Sequence, residues 1–183
     1  MAWKTLKSEE LLHDYHVRVN RDKVQLPDGA VIDDFYTVTI PDAAMVAAIT
    51  TNGELLLKSE YRYAIGTDVI ECPAGMFEES ETDSLVVAKR ELLEETGYSS
   101  DNWTYLGPTL ESTSKLTNRM HLFLAKNAVQ TGTQHLDENE HLSVAAVPLE
   151  TAVDMVMNGT IHANSSVHLI LKAARLLGKQ TGV

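Results

Sequence analysis

The chain has 183 residues, 44% apolar and 22% charged, with a formal net charge of −11. That length suggests one domain, or one domain plus a small extra element, with room for a sizeable core. The acidic balance argues against nucleic acid or an anionic membrane surface as the main partner, and an anionic small substrate would need local cations. The longest apolar run, Ala43 to Ile49, is too short for a bilayer-spanning helix, which needs about 20 residues. The opening MAWKTLKSEELLHDY breaks each short apolar stretch with charge, so it does not read as a secretory signal. The single cysteine, Cys72, allows no internal disulfide and fits a reducing, cytoplasmic setting.

In chain order, Val17 to Leu26 reads as short strands ending in the turn LPDG. Val31 to Ile40 is rich in β-branched and aromatic residues and is expected to be a strand. The next stretch, MVAAITTNGELLLKSEYR, has two apolar runs flanking Asn52-Gly53, a pair that accepts positive φ and so signals a hairpin. A strand, DVIECPAG, then runs into a Pro/Gly loop, and an acidic helix follows. WTYLGPTL, NRMHLFLA and HLSVAAVPL read as three more strands. LETAVDMVMNG reads as a helix stopped at Gly159, and SSVHLILKAARLLG as a helix with a serine start and Gly178 as its end. Strands, one central helix, more strands and then helices suggest a mixed α+β sandwich rather than a doubly wound sheet.

The central helix raises the functional question, because RELLEETGY places Glu91, Glu94 and Glu95 within five positions. Like charges at this spacing cost a helix a few tenths of a kcal/mol per pair. Thr82 or Asp83 can cap the start, and Gly97 suits the position after the last turn. On helical geometry the three carboxylates share a face. Leu85, Val86, Ala88, Leu92 and Leu93 are expected on the opposite, core-facing arc. Such a face is either a solvated surface or a hard-cation site, since clustered carboxylate oxygens suit Mg²⁺.

The surrounding stretch, GMFEESETDSLVVAKRELLEETGY, resembles the Nudix box. That pattern is Gly, five residues, Glu, seven residues, then Arg-Glu-apolar-any-Glu-Glu-any-Gly-apolar. Gly75 and Glu81 match its first half, and Arg90, Glu91, Leu92, Glu94, Glu95, Gly97 and Tyr98 match its second. Eight residues, Thr82 to Lys89, separate Glu81 from Arg90, one more than the pattern has. The resemblance implies metal ligation by Glu91 and Glu95, with Glu94 in support and Arg90 orienting them. It implies Mg²⁺ as cofactor, with Mn²⁺ as a possible substitute.

Beyond the box, LPDG, SEYRYAIGTDVIECPAG, DENEHLSV and NGTIHANSSVHLIL follow in the order seen in the ADP-ribose pyrophosphatase and nucleoside-diphosphate-sugar hydrolase branch of that family. The branch implies an α/β/α sandwich around mixed sheets, with residues 1–42 as an N-terminal β extension and 43–183 as the Nudix hydrolase domain. It further implies a homodimer and a small nucleoside diphosphate derivative as substrate. By the same resemblance the Ala74 carbonyl joins the metal ligands, Glu140 is a further ligand, and Glu138 is the base, the last two roles being interchangeable. Arg62 would contact phosphate, and Phe35 and Tyr36 would help to stack the base. A proline usual in ADP-ribose members is Thr113 here, which widens the expectation to other nucleoside diphosphate sugars. His121 and Cys72 read as structural. Two other readings stay open: a non-catalytic sensor of ADP-ribose-like ligands, and an enzyme acting on RNA 5′ ends, which the charge disfavours.

Overall fold

The computed structural model describes residues 2–136 and 140–180. Three antiparallel strands come first: β1 (Lys4–His13), β2 (Arg18–Gln25) and β3 (Val31–Thr39), in that order across one sheet. The expected LPDG turn joins β2 to β3, with the Leu26 amide donating to the Ala30 carbonyl at 2.8 Å. β1 was not legible as a strand. Its sequence, KTLKSEELLH, has no apolar alternation, and nine of its ten residues are exposed. Two register shifts interrupt its pairing with β2, one between Thr5 and Lys7 and one between Glu10 and Leu12. By backbone contacts these strands form one compact unit, Met1–Asp42 together with Leu110–Arg119. The second segment joins β3 through Val38, whose amide donates to Lys115 O at 2.8 Å and whose carbonyl accepts from the Thr117 amide at 3.1 Å.

The other unit spans Ala43–Thr109 and Met120–Val183. Its strands are β4 (Ala43–Thr50), β5 (Glu54–Arg62), β6 (Thr67–Glu71), β7 (Ala74–Met76), β8 (Tyr98–Ser99), β9 (Asn102–Thr109), β10 (Met120–Gln130) and β11 (Leu142–Pro148). Its helices are α1 (Ser84–Thr96), α2 (Leu149–Met157) and α3 (Asn164–Gln180). The strand order β11-β5-β4-β10-β8 mixes a parallel β4–β10 pair with antiparallel neighbours, so the sheet is mixed as expected. Gly53, at φ 81°, turns β4 into β5. Gly178 does not end α3, which runs through it to Gln180; glycine costs a helix about 1 kcal/mol against alanine but does not forbid it.

Strand alternation sorts the core into two layers. Met45, Ala47, Ile49, Leu55, Leu57, Leu122 and Leu124 pack with Ile161, Leu169 and Ile170 of the α2–α3 side. Ala44, Val46, Ala48, Leu56, Phe123 and Ala125 pack with Val87, Ala88 and Leu92 of α1. Helices therefore cover both faces of the sheet, which is the α/β/α sandwich. The small residues Ala44, Ala48 and Ala88 let α1 lie close to the sheet, and all three are at or below 4% exposure. No helix among the described residues is long and apolar enough to cross a membrane.

Candidate metal centre

Helix α1 is set at both ends by the residues expected to cap it. The Asp83 carboxylate accepts from the Leu85 amide, and Gly97 adopts φ 74° with its amide donating to Leu93 O. The expected core arc is corrected by the packing. The buried residues of α1 are Val87, Ala88, Glu91, Leu92, Glu95 and Thr96, whereas Val86 is 53% and Leu93 39% exposed. Ranking side chains by polarity sends glutamates outward; here two of them lie on the helix face that meets the sheet.

What admits them is local chemistry. Gly75 has no side chain, and a Cβ placed there would stand 1.9 Å from Glu91 Oε1. The glutamate thus uses the space that any other residue at 75 would fill. Glu95 lies deeper, at 2% exposure. Its Oε2 accepts from the Ala74 amide at 2.9 Å, and its Oε1 is ion-paired with the Lys58 ammonium. Burial pushes the Glu95 carboxyl up to about 7 against the opposing pull of Lys58. Burial raises Glu91 as well, with Arg90 pulling the other way. Both carboxylates are thus buried groups whose charge costs desolvation, offset by one paired cation each, Lys58 for Glu95 and Arg90 for Glu91.

Arg90 organises the outer rim. Its guanidinium donates to Glu81 Oε1 and Oε2 at 3.0 Å each, to Glu91 Oε1 at 2.7 Å, to Glu94 Oε2 at 2.9 Å and to Met76 O at 3.1 Å. Those hydrogen bonds, from Glu81 first, hold its pKa above the ordinary arginine value. The Glu81 amide donates to Glu78 O at 3.0 Å. With eight residues between them rather than seven, Glu81 still reaches Arg90, whose hydrogen bonds hold its carboxyl below the usual range.

The other expected site residues lie as follows. The Ala74 carbonyl faces Lys58 Nζ at 3.4 Å, beside the Glu95 carboxylate. Arg62 is engaged by Glu71, at 2.8 and 2.6 Å, and by Glu60 at 3.1 Å. Glu140 is half-buried just before β11, and Glu138 lies outside the described residues. The segment leading to them is tied to the end of α1: the His135 amide donates to Glu94 O at 2.9 Å and Gln134 Nε2 to Glu95 O at 2.7 Å. In the N-terminal unit, Phe35 meets Trp3 edge-on at 5.5 Å, with Lys115 Nζ 4.5 Å from its ring centroid. These three line a hollow of about 460 Å³ with Thr37, Thr113 and Thr117. Tyr36 neighbours Phe35 along β3 and is 38% exposed.

Lys58 is the residue that sequence reasoning missed. Its signal was available: Leu56, Lys58 and Glu60 alternate along β5, and Leu56 packs on the α1 layer. A lysine on that face two positions past a buried leucine requires an acidic partner. Identifying Glu95 as that partner required the fold.

Among the described residues, no three His, Cys, Asp or Glu side chains already stand together at metal-binding spacing. The donor set nevertheless fits a hard divalent cation, because it offers carboxylate and carbonyl oxygens only. A positive charge, the Lys58 ammonium, already stands between Ala74 O and Glu95. On this mixed sandwich, the arginine-clamped acidic helix is the candidate centre for metal-assisted hydrolysis. The chain belongs to the Nudix hydrolase family: residues 39–167 match the NUDIX domain, and residues 3–38 match the nucleoside diphosphate sugar hydrolase N-terminal domain. Members of this family need a divalent metal. The chain is 30% identical over 165 residues to a methanol dehydrogenase activator of Bacillus methanolicus, covering 90% of this chain and 88% of that protein. It is 29% identical over 168 residues to an ADP-ribose pyrophosphatase of Bacillus subtilis (strain 168), covering 91% and 90%. The crystal structure of an ADP compounds hydrolase superposes with a TM-score of 0.85 over 100% of this chain and 98% of that one, at 20% identity.

Proposed function

We propose that this protein hydrolyses the diphosphate linkage of ADP-ribose or a related nucleoside diphosphate sugar, giving a nucleoside monophosphate and a sugar phosphate. The observation that carries this reading is the buried Glu91–Glu95 pair beside the Ala74–Gly75 backbone, clamped from outside by Arg90. The ADP-ribose pyrophosphatase among its relatives and the match of residues 3–38 support the substrate class.

In this reading Glu91, Glu95 and the Ala74 carbonyl hold Mg²⁺, for which Mn²⁺ can substitute, and Glu140 adds a ligand. A divalent cation supplies charge neutralisation of the diphosphate and a lowered pKa for water. Arg90 fixes the carboxylates of Glu91 and Glu94 through charge-assisted hydrogen bonds. Glu138 or Glu140 takes the proton from the attacking water, one P–O bond forms, and the bridging P–O bond breaks. Arg62 contacts phosphate by exchanging part of its pairing with Glu60 and Glu71. Phe35 and Tyr36 serve the base, Phe35 through the hollow it shares with Trp3. The setting is cytoplasmic, and neither nucleic acid nor membrane is a partner. The protein acts as a homodimer, a reading supported by Trp3, Leu6, Leu11 and Leu12, all more than 40% exposed in the N-terminal unit.

The test is phosphate release with a coupled phosphatase from ADP-ribose, GDP-mannose and UDP-glucose, with and without Mg²⁺, for wild type and Glu95→Gln. Metal-dependent turnover that is lost in the variant is the expected result. Ligand binding with no turnover on any substrate would leave the sensor as the better account.

A further inference from the structure

Lys58 has no part in the function just described, yet it is among the most buried charged residues of the chain, with its side chain 2% exposed. It reaches α1 because β5 alternates, with Leu56, Lys58 and Glu60 pointing to that layer. Three oxygens surround its Nζ: Glu95 Oε1, Glu60 Oε2 at 3.3 Å and Ala74 O at 3.4 Å. Two of the three belong to the groups proposed above to hold a divalent cation. An ammonium and a metal ion cannot share one buried pair of oxygens, because two like charges at contact distance in a weakly screened interior repel strongly.

We propose that Lys58 is a built-in counter-ion that fills the Glu95–Ala74 cation position in the metal-free protein, so that a divalent cation enters only by displacing its ammonium. The inference rests on the metal reading of Glu95 and Ala74. A destination for the displaced ammonium is present. Glu60 Oε2 is buried and already stands within ion-pair distance of Lys58 without meeting hydrogen-bond geometry to it, so a closer approach of the ammonium gains a hydrogen bond. The same oxygen pairs with Arg62 Nη1 at 3.1 Å. A shift of Lys58 onto Glu60 therefore weakens the hold of Glu60 on Arg62, the candidate phosphate contact, as the metal arrives. The arrangement also explains how Glu95 is buried as a carboxylate before metal binds, as Arg90 does for Glu91; without Lys58, an ionised Glu95 would have no paired cation.

Mn²⁺ binding, read by electron paramagnetic resonance at pH 8, separates the possibilities for wild type, Lys58→Met and Glu95→Gln. Removing an internal competitor raises the fraction of protein competent to bind, so Lys58→Met should lower the apparent Kd for Mn²⁺ about tenfold. Its thermal midpoint should fall in EDTA and recover with Mn²⁺. Equal or weaker Mn²⁺ binding in Lys58→Met, with Glu95→Gln weakened, overturns the counter-ion and leaves the metal reading intact. Wild type that binds no Mn²⁺, or Glu95→Gln that binds as wild type does, overturns the metal reading and this inference with it. Should Lys58→Met fail to fold, a wild-type crystal soaked in Mn²⁺ decides. An anomalous peak on Glu95 with Nζ withdrawn from it supports displacement, and Mn²⁺ on Glu95 with Nζ still paired there refutes it.

Discussion

β1 and β4 are strands of similar length built on opposite terms. β4 buries all eight of its residues between two helical layers, whereas nine of the ten residues of β1 are exposed. β4 is held by burial. β1 is held by its ladder to β2 and by cross-strand pairs such as Arg21 with Glu9 at 2.7 Å. The difference shows where a small chemical change is felt. In the β4 layers a single methyl or proton has nowhere to go, while around β1 solvent absorbs it.

Truncation should show the largest contrast. Leu56→Ala, next to β4 and 1% exposed, should cost about 2–5 kcal/mol in urea unfolding. Leu12→Ala, 49% exposed in β1, should stay within about 0.5 kcal/mol. Equal costs would break the comparison and mean that a second copy covers β1 in solution.

Adding a methyl sharpens it. Gly75→Ala puts a Cβ where Glu91 Oε1 now lies, and the carboxylate end of a flexible side chain can move aside. The fold should survive, but calorimetric titration should show Mn²⁺ affinity falling roughly 10–100-fold. Unchanged affinity would mean that the position of Glu91 does not matter to the metal.

The smallest effect is on pH dependence. The Glu95 carboxyl is raised from its ordinary 4.5 to about 7, so between those values the folded protein binds more protons than the unfolded chain. The stability this group contributes is fully present below about 4.5 and is lost as pH rises through 7. Thermal melts of wild type in EDTA should fall across that window, and those of Glu95→Gln should be flatter. Protection by Mg²⁺ should grow over the same range, because binding needs the carboxylate. The Glu9–Arg21 pair on the exposed sheet should give no such difference when Arg21 is changed to Ala. A flat wild-type profile would remove burial as the cause.

Much of this was legible in the sequence where a signal is local. Asn52-Gly53 gave the hairpin, Asp83 and Gly97 the ends of α1, and the spacing from Arg90 to Gly97 the acidic centre. What was not legible depended on partners distant in the chain. β1 escaped notice because neither of its faces is apolar. The core face of α1 was misread because Glu91 and Glu95 are buried against Gly75 and Lys58, which no helical wheel contains. That Glu81 reaches Arg90 despite the added residue required the structure.

The end of α1 is closed by its neighbours in a way that joins two parts of the centre. Its terminal carbonyls need donors from outside the helix. The amides of Thr131 and Gly132 serve Gly97 O, the Gln134 side chain serves Glu95 O, and the His135 amide serves Glu94 O. Residues 131–135 thus close the end of the helix that carries the glutamates. Opening residues 131–135 would strip the last turn of its donors, so the end of α1 and these residues should exchange their amide hydrogens together.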